Sequence, residues 1–272
     1  MPKDFSTLAL FYNKNAFEES GITKPPKNWN ELQKHSKKLT TDKNRDGRKE
    51  QYGFGLTPEL SRLQFMMTAF GGKLIDQKGN AVFANPKSLK GLHLVIDQYR
   101  KDKSSAQASD LGASSGSEMF GQGKAAMVIE GPWAIPYLKE TFPTLEFATA
   151  EVPKVSGQKE TMAYTVAYVM NKQTKHKDAA WQLISYLAGK EGMKAWATEG
   201  LVLPSRKSVL KELGYADNPL YAPFVADAAY ATIWQAGENL PTVLTHFNNQ
   251  FISALIGEQS LQGAWILDFG LD

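Results

Sequence analysis

Cysteine is absent from the 272 residues, which excludes disulfides and thiolate metal sites. Long apolar runs are absent too: none approaches the ~20 residues a membrane-spanning helix needs. Neither charge sign dominates, because 31 Lys and Arg stand against 28 Asp and Glu for a formal net charge of +3. That balance argues against nucleic acid as a partner. Histidine is scarce, and His35, His93, His176 and His246 lie too far apart for metal-ligand spacing. No Gly-x-Ser-x-Gly elbow and no Gly-rich phosphate loop occurs, so no motif supports an enzyme. The start, Met1 to Phe5, lacks a basic segment followed by an apolar stretch, and no signal peptide is expected in this chain.

Aromatic residues are plentiful at 11%, with six Trp and ten Tyr. Thr7 to Tyr12 reads as a short buried strand. A helix is expected from Trp29 to Leu39: Asn28 can cap it, Glu31 follows at the capping-box spacing, and Trp29, Leu32, Ser36 and Leu39 share a face. Asn85-Pro86 opens a second helix, with Leu89, Leu92, Ile96 and Tyr99 at helical spacing. Lys124 to Glu130 and Thr165 to Met170 read as strands, Asp178 to Leu187 as a helix, and Met193 and Trp196 as a further helical turn. Ser104 to Ser117, rich in Ser, Ala and Gly, reads as a loop. From about Pro219 the pattern is mostly helical. Strands alternating with helices indicate an α/β fold.

Two local patterns carry chemistry. Asp42, Asn44 and Asp46 stand at positions 1, 3 and 5 of an EF-hand-like calcium loop, with Gly47 at 6 and Glu50 at 9, but Gly53 occupies position 12, where a bidentate Glu belongs. The alternative is a tight polar turn with Gly47 at positive φ. Gly131 to Tyr137 directly follows a strand, which suits Trp133 and Tyr137 to present ring faces at a cleft. Sugar rings pack their CH-rich faces on such rings while a carboxylate accepts from hydroxyls, and Trp133 and Tyr137 with Glu59 would form that kind of set. The alternative places both rings in the core.

Several segments together resemble the maltose- and maltodextrin-type solute-binding proteins of ABC sugar importers. Residues Pro2 to Lys14 resemble the strand that enters the family's C-terminal lobe. Pro26-Lys27-Asn28-Trp29-Asn30-Glu31-Leu32 resembles its Pro-x-Thr-Trp-x-Glu-Leu helix start, and Ala69-Phe70-Gly71-Gly72 its aromatic-Gly-Gly turn. The most specific piece is Phe120 to Met127 with Glu130-Gly131-Pro132-Trp133, beside Phe-x-x-Gly-x-x-Ala-Met and Gly-Pro-Trp. Lys177 to Trp181 and Leu203-Pro204-Ser205 match further signatures, and the resemblance runs from residue 1 to about Leu261.

The resemblance implies a type II periplasmic-binding-protein fold, mainly its C-terminal lobe with an incomplete N-terminal lobe. It implies a core over 1–160, a hinge strand and helices over 161–215, and a helical segment with an atypical tail over 216–272. It makes Trp133 a sugar-stacking ring, places Glu59 near a polar contact, and puts Tyr164 where the chain crosses between lobes. Expected partners are an oligosaccharide and the importer's membrane subunits, with no catalysis, in the periplasm or outside the cell. Two rivals stand beside this reading: a glycan-processing enzyme, and an interaction module without a sugar site. The helical face of Trp181, Ile184 and Leu187 is expected to lack its usual cover, to be met by self-association or by the apolar tail (Trp265, Ile266, Leu267, Phe269).

Overall fold

The computed structural model describes residues 1–76, 82–83, 85–199, 202–233 and 240–266. Its strands are β1 (Asp4–Thr7), β2 (Ala9–Asn13), β3 (Phe54–Leu56), β4 (Ser105–Gln107), β5 (Met127–Glu130), β6 (Phe147–Ala150), β7 (Thr161–Tyr164), β8 (Leu203–Pro204) and β9 (Ala231–Ile233). They form two sheets, a five-stranded one in the order β4-β3-β5-β2-β6 and a four-stranded one in the order β8-β1-β7-β9. Helices pack around both, so the α/β expectation holds.

Alternation along a strand sends successive side chains to opposite faces. Leu10 on β2 joins Met127 and Ile129 on β5 in one core cluster, while Ala9 and Phe11 join Val128 in another. Phe11 is the centre of the second, with Phe147 and Phe224 rings each 5.9 Å away. The large sheet is therefore covered on both sides.

Local chemistry sets the helix starts. Asn28 Oδ1 accepts from the Glu31 backbone N–H at 3.0 Å. The Glu31 carboxylate turns back to accept from the Lys27 N–H at 2.8 Å, one residue earlier than the capping box proper. The expected apolar face of this helix (Trp29–Leu39) is the buried one. Asn28→Ala should cost about 1 kcal/mol of folding stability, read from the midpoint of urea unfolding; an unchanged midpoint would remove the cap from the account. Asn85 caps Pro86–Arg100 as expected, accepting from the N–H groups of Lys87 and Ser88.

Three readings need correction, because pairing distant in sequence overrides local pattern. The single strand over Thr7 to Tyr12 is two strands divided at Leu8: β1 pairs with β7 and β8, and β2 with β5 and β6. The strand expected at Thr165 to Met170 lies earlier, as β7, because Tyr164 and Ala163 stand opposite Ser6 and Thr7; Val166, Val169 and Met170 are exposed instead. The loop expected over Ser104 to Ser117 holds β4, which is buried beside β3 in parallel register, a 3-10 turn (Ala108–Leu111) and the start of the helix Gly116–Gly121. The C-terminal third is mostly helical as expected, and also carries the short β9, paired in parallel with β7.

The helix Lys177–Leu187 exposes large side chains, but of the expected face only Trp181 is among them. Ile184 is buried at 9% exposure and Leu187 is half-buried, whereas Trp181, Leu183 and Tyr186 are 55%, 59% and 62% exposed. The tail from 267 onward and the side chains of Trp265 and Ile266 lie outside the described residues. Among the described residues no helix is long and apolar enough to cross a membrane.

Candidate functional site

Strand β3 runs parallel to both β4 and β5, so these three strands bring their carboxyl ends to one edge of the large sheet. Open α/β sheets place ligand crevices outside such ends. Here the chain leaves β3 through Thr57-Pro58-Glu59 into the helix Leu60–Thr68, and leaves β5 through Gly131-Pro132-Trp133 into the helix Ala134–Thr141. β4 leads through the 3-10 turn to Ser114 and Ser115. Together these exits, with Asn248 and Ile252 from the helix Leu240–Ile256, line a cavity of about 730 Å³. That volume suits a small molecule, and the wall is rich in hydroxyl and amide groups: Thr57, Gln107, Ser109, Ser114, Ser115, Ser117 and Asn248.

Trp133 lies on this wall, half-buried. Its ring meets Tyr164 edge to face, with centroids 5.9 Å apart and planes at 82°, and the Arg62 guanidinium carbon stands 5.0 Å from the ring centroid. Arg62 Nη2 also donates to Glu130 Oε2 at 3.0 Å. Glu130 is itself buried, at 3% exposure. Burial pushes its carboxyl above the usual carboxylate range, while the Arg62 guanidinium, the Gly131 N–H and the Trp133 side chain act in the opposite direction. Gly131 makes this arrangement possible: a Cβ there would sit 2.1 Å from the Trp133 ring.

The other expected residues divide between the wall and its support. Glu59 is exposed on the rim at the helix start, with the Ser61 hydroxyl 3.4 Å from its carboxylate. Tyr137 lines the cavity, half-buried, its ring edge-on to Phe142. Tyr164 stands behind Trp133 rather than on the wall, and its hydroxyl donates to the Ser61 carbonyl at 2.8 Å. Burial pushes that hydroxyl up from its ordinary value. The sequence reading missed Arg62 and Asn248. Asn248 Oδ1 accepts from the Leu60 N–H at 2.9 Å and so fixes the helix entry beside Glu59. Only the helical position of Arg62, three residues after Glu59, hinted at a shared face.

The loop with the calcium-like pattern is a separate structure. Asp42 Oδ2 accepts from the Gly47 N–H at 3.1 Å, Asn44 Oδ1 from the Asp46 N–H at 3.0 Å, Asp46 Oδ1 from the Arg48 N–H at 2.7 Å, and Glu50 Oε2 from the Lys43 N–H at 2.7 Å. Gly47 takes φ 87°. Lys49 Nζ lies 3.6 Å from Asp42, and among the described residues no group of three or more His, Cys, Asp or Glu is arranged to hold a metal. A cation here would have to displace these N–H donors. Added calcium should therefore leave the melting temperature unchanged, whereas a rise would reveal binding to the folded form.

Residues 1–194 match the family profile described as bacterial extracellular solute-binding protein. The chain belongs to that family. This member is 26% identical over 254 residues to a binding protein of Brucella abortus, covering 90% of this chain and 61% of the relative. It is 25% identical to the galactooligosaccharide-binding protein of Bacillus subtilis, covering 89% of this chain and 55% of that one. The maltose/maltodextrin-binding domain of Bdellovibrio bacteriovorus, solved with maltotriose, superposes with a TM-score of 0.82 at 23% identity, over 97% of this chain and 69% of that chain. The solute-binding chain thus spans about 61% of the length of the first of these relatives. The family is one of binding proteins rather than enzymes.

Proposed function

We propose that this solute-binding chain takes up a maltodextrin-like oligosaccharide in the cleft outside β3, β4 and β5, releases it unchanged, and serves the membrane subunits of an ABC importer from the outer side of the membrane. The observation that carries the reading is the half-buried Trp133 ring held on a wall of hydroxyl and amide groups. An aromatic face packs against the CH groups of a sugar ring, and the surrounding oxygens and amides exchange hydrogen bonds with its hydroxyls. The galactooligosaccharide and maltotriose named for two similar proteins fit the same chemistry. In this reading Trp133 stacks, Tyr137 and Glu59 contact the sugar, and Tyr164 supports the stacking ring. Calorimetric titration with a maltodextrin series and a galacto-oligosaccharide tests it: saturable heat from one series names the sugar, and no heat from any sinks the reading.

A second reading concerns assembly. Leu183 and Tyr186, three residues apart and so neighbours on the surface of Lys177–Leu187, are exposed, as is Trp181 elsewhere on the helix; exposed large side chains favour pairing with a second copy. Light scattering across a concentration series should show a mass rising toward that of two chains. A constant single-chain mass would end the self-association reading and leave the sugar site untouched.

A further inference from the structure

Arg62 is the sole cation among the described residues that line the cleft. Its charge is not free. Nη2 is bound to Glu130 at 3.0 Å, and the guanidinium lies over the Trp133 ring. Nη1 is buried and has no hydrogen-bond acceptor among the described residues. The electron-rich indole face lies 5.0 Å from the guanidinium carbon. The carboxylates on the wall are Glu59 and Glu130. With one guanidinium against two carboxylates, the wall offers no unspent positive charge, and its rim carries a negative one.

We propose that Arg62 is a specificity-determining residue, whose engagement with Glu130 and Trp133 makes the cleft select neutral sugar rings and turn away sugars that carry a carboxylate. The inference rests on the oligosaccharide reading above and adds the charge class of the ligand. Guanidinium is the side chain that would otherwise clamp a carboxylate through two parallel N–H groups. Here that fork is not presented as a pair: one arm, Nη2, holds Glu130, and the other, Nη1, is buried. The same contact occupies one face of Trp133, which leaves a single face for stacking. An acidic sugar would meet Glu59 on the rim and could gain Arg62 only by breaking its pair with a buried carboxylate.

The test compares maltotriose with its uronic counterpart, in which C6 of the terminal glucose is a carboxylate, by calorimetric titration of the full chain at pH 8. The chain should bind maltotriose at least about tenfold more tightly than the uronic trisaccharide. Glu130→Gln removes the internal counter-charge while keeping the side-chain shape, and should narrow that preference by about tenfold. Arg62 acting merely as a packing element would leave the ratio unmoved. Equal or tighter binding of the uronic sugar by the unmodified chain overturns the proposal, and so does a folded Glu130→Gln variant with an unchanged ratio. If the variant does not fold, the ratio for the unmodified chain decides alone. Binding of neither sugar, in contrast, sinks the oligosaccharide reading itself and this inference with it.

Discussion

Trp133→Ala is expected to weaken oligosaccharide binding by about 1–3 kcal/mol, the scale of losing one buried aromatic contact, or roughly 5–150-fold in Kd. The residue is suited to so large an effect because its ring is fixed from two directions. Tyr164 meets it edge-on and the Arg62 guanidinium covers one face. A ring held this way loses little rotamer freedom when a ligand packs on it, so most of the contact energy appears as affinity. Trp133→Tyr keeps an aromatic face and should recover most of the binding. The two variants separate stacking from folding: both should unfold at similar denaturant concentrations, while only the alanine variant loses the sugar. An unchanged Kd for Trp133→Ala, measured by titration on a folded sample, would remove the ring from the site.

Stability should also fall as pH rises toward neutrality, because of a group away from the cleft. Asp227 ends the helix Ala222–Asp227 and is fully buried. The Tyr230 hydroxyl lies within hydrogen-bond reach of it and of Glu151, with one proton between them, and Glu151 pairs with Lys159, whose ammonium lies 5.2 Å from the Tyr230 ring centroid. Burial pushes the Asp227 carboxyl from 3.8 up to about 7. The Tyr230 hydrogen bond, the Val152 N–H and Lys159 pull it down, and Glu151 pushes it further up. The folded chain therefore holds this proton more tightly than the unfolded chain does. Its contribution to stability is complete below pH 3.8 and is lost as pH climbs to about 7, a loss of about 4 kcal/mol. Asp227→Asn cannot ionise. Denaturant titrations from pH 5 to pH 8 should show a smaller decline for the variant than for the unmodified chain, with the variant gaining most in relative terms at pH 8. Parallel declines would show that Asp227 does not carry the effect.

What could be read from the sequence follows the range of the interactions involved. The helix starts at Asn28 and Asn85 were legible because a cap is made within three residues of itself. Trp133 was legible as a ring placed directly after a strand. The division at Leu8 was not, because five apolar and aromatic residues in a row, Leu8 to Tyr12, look the same whether one sheet or two takes them up; the choice is made by β7 and β5, more than a hundred residues away. Arg62 was equally invisible, since its meaning comes from Glu130, 68 positions later, and Asn248 bonds to Leu60 across 188. The exposed run around Val169 misled in the other direction, because β-branched composition alone does not supply a neighbouring strand.

Gly131 also constrains how such a cleft changes over generations. The indole occupies the space a side chain at 131 would need, within 2.1 Å of where its first carbon would be. A substitution at 131 that keeps Trp133 must drive the ring off its wall, and so removes the ligand before it can alter it. Only after Trp133 has already shrunk does position 131 become free to vary. The order of mutations is therefore restricted: selectivity can drift gradually through the hydroxyl-bearing wall, but the glycine stays for as long as the stacking ring does.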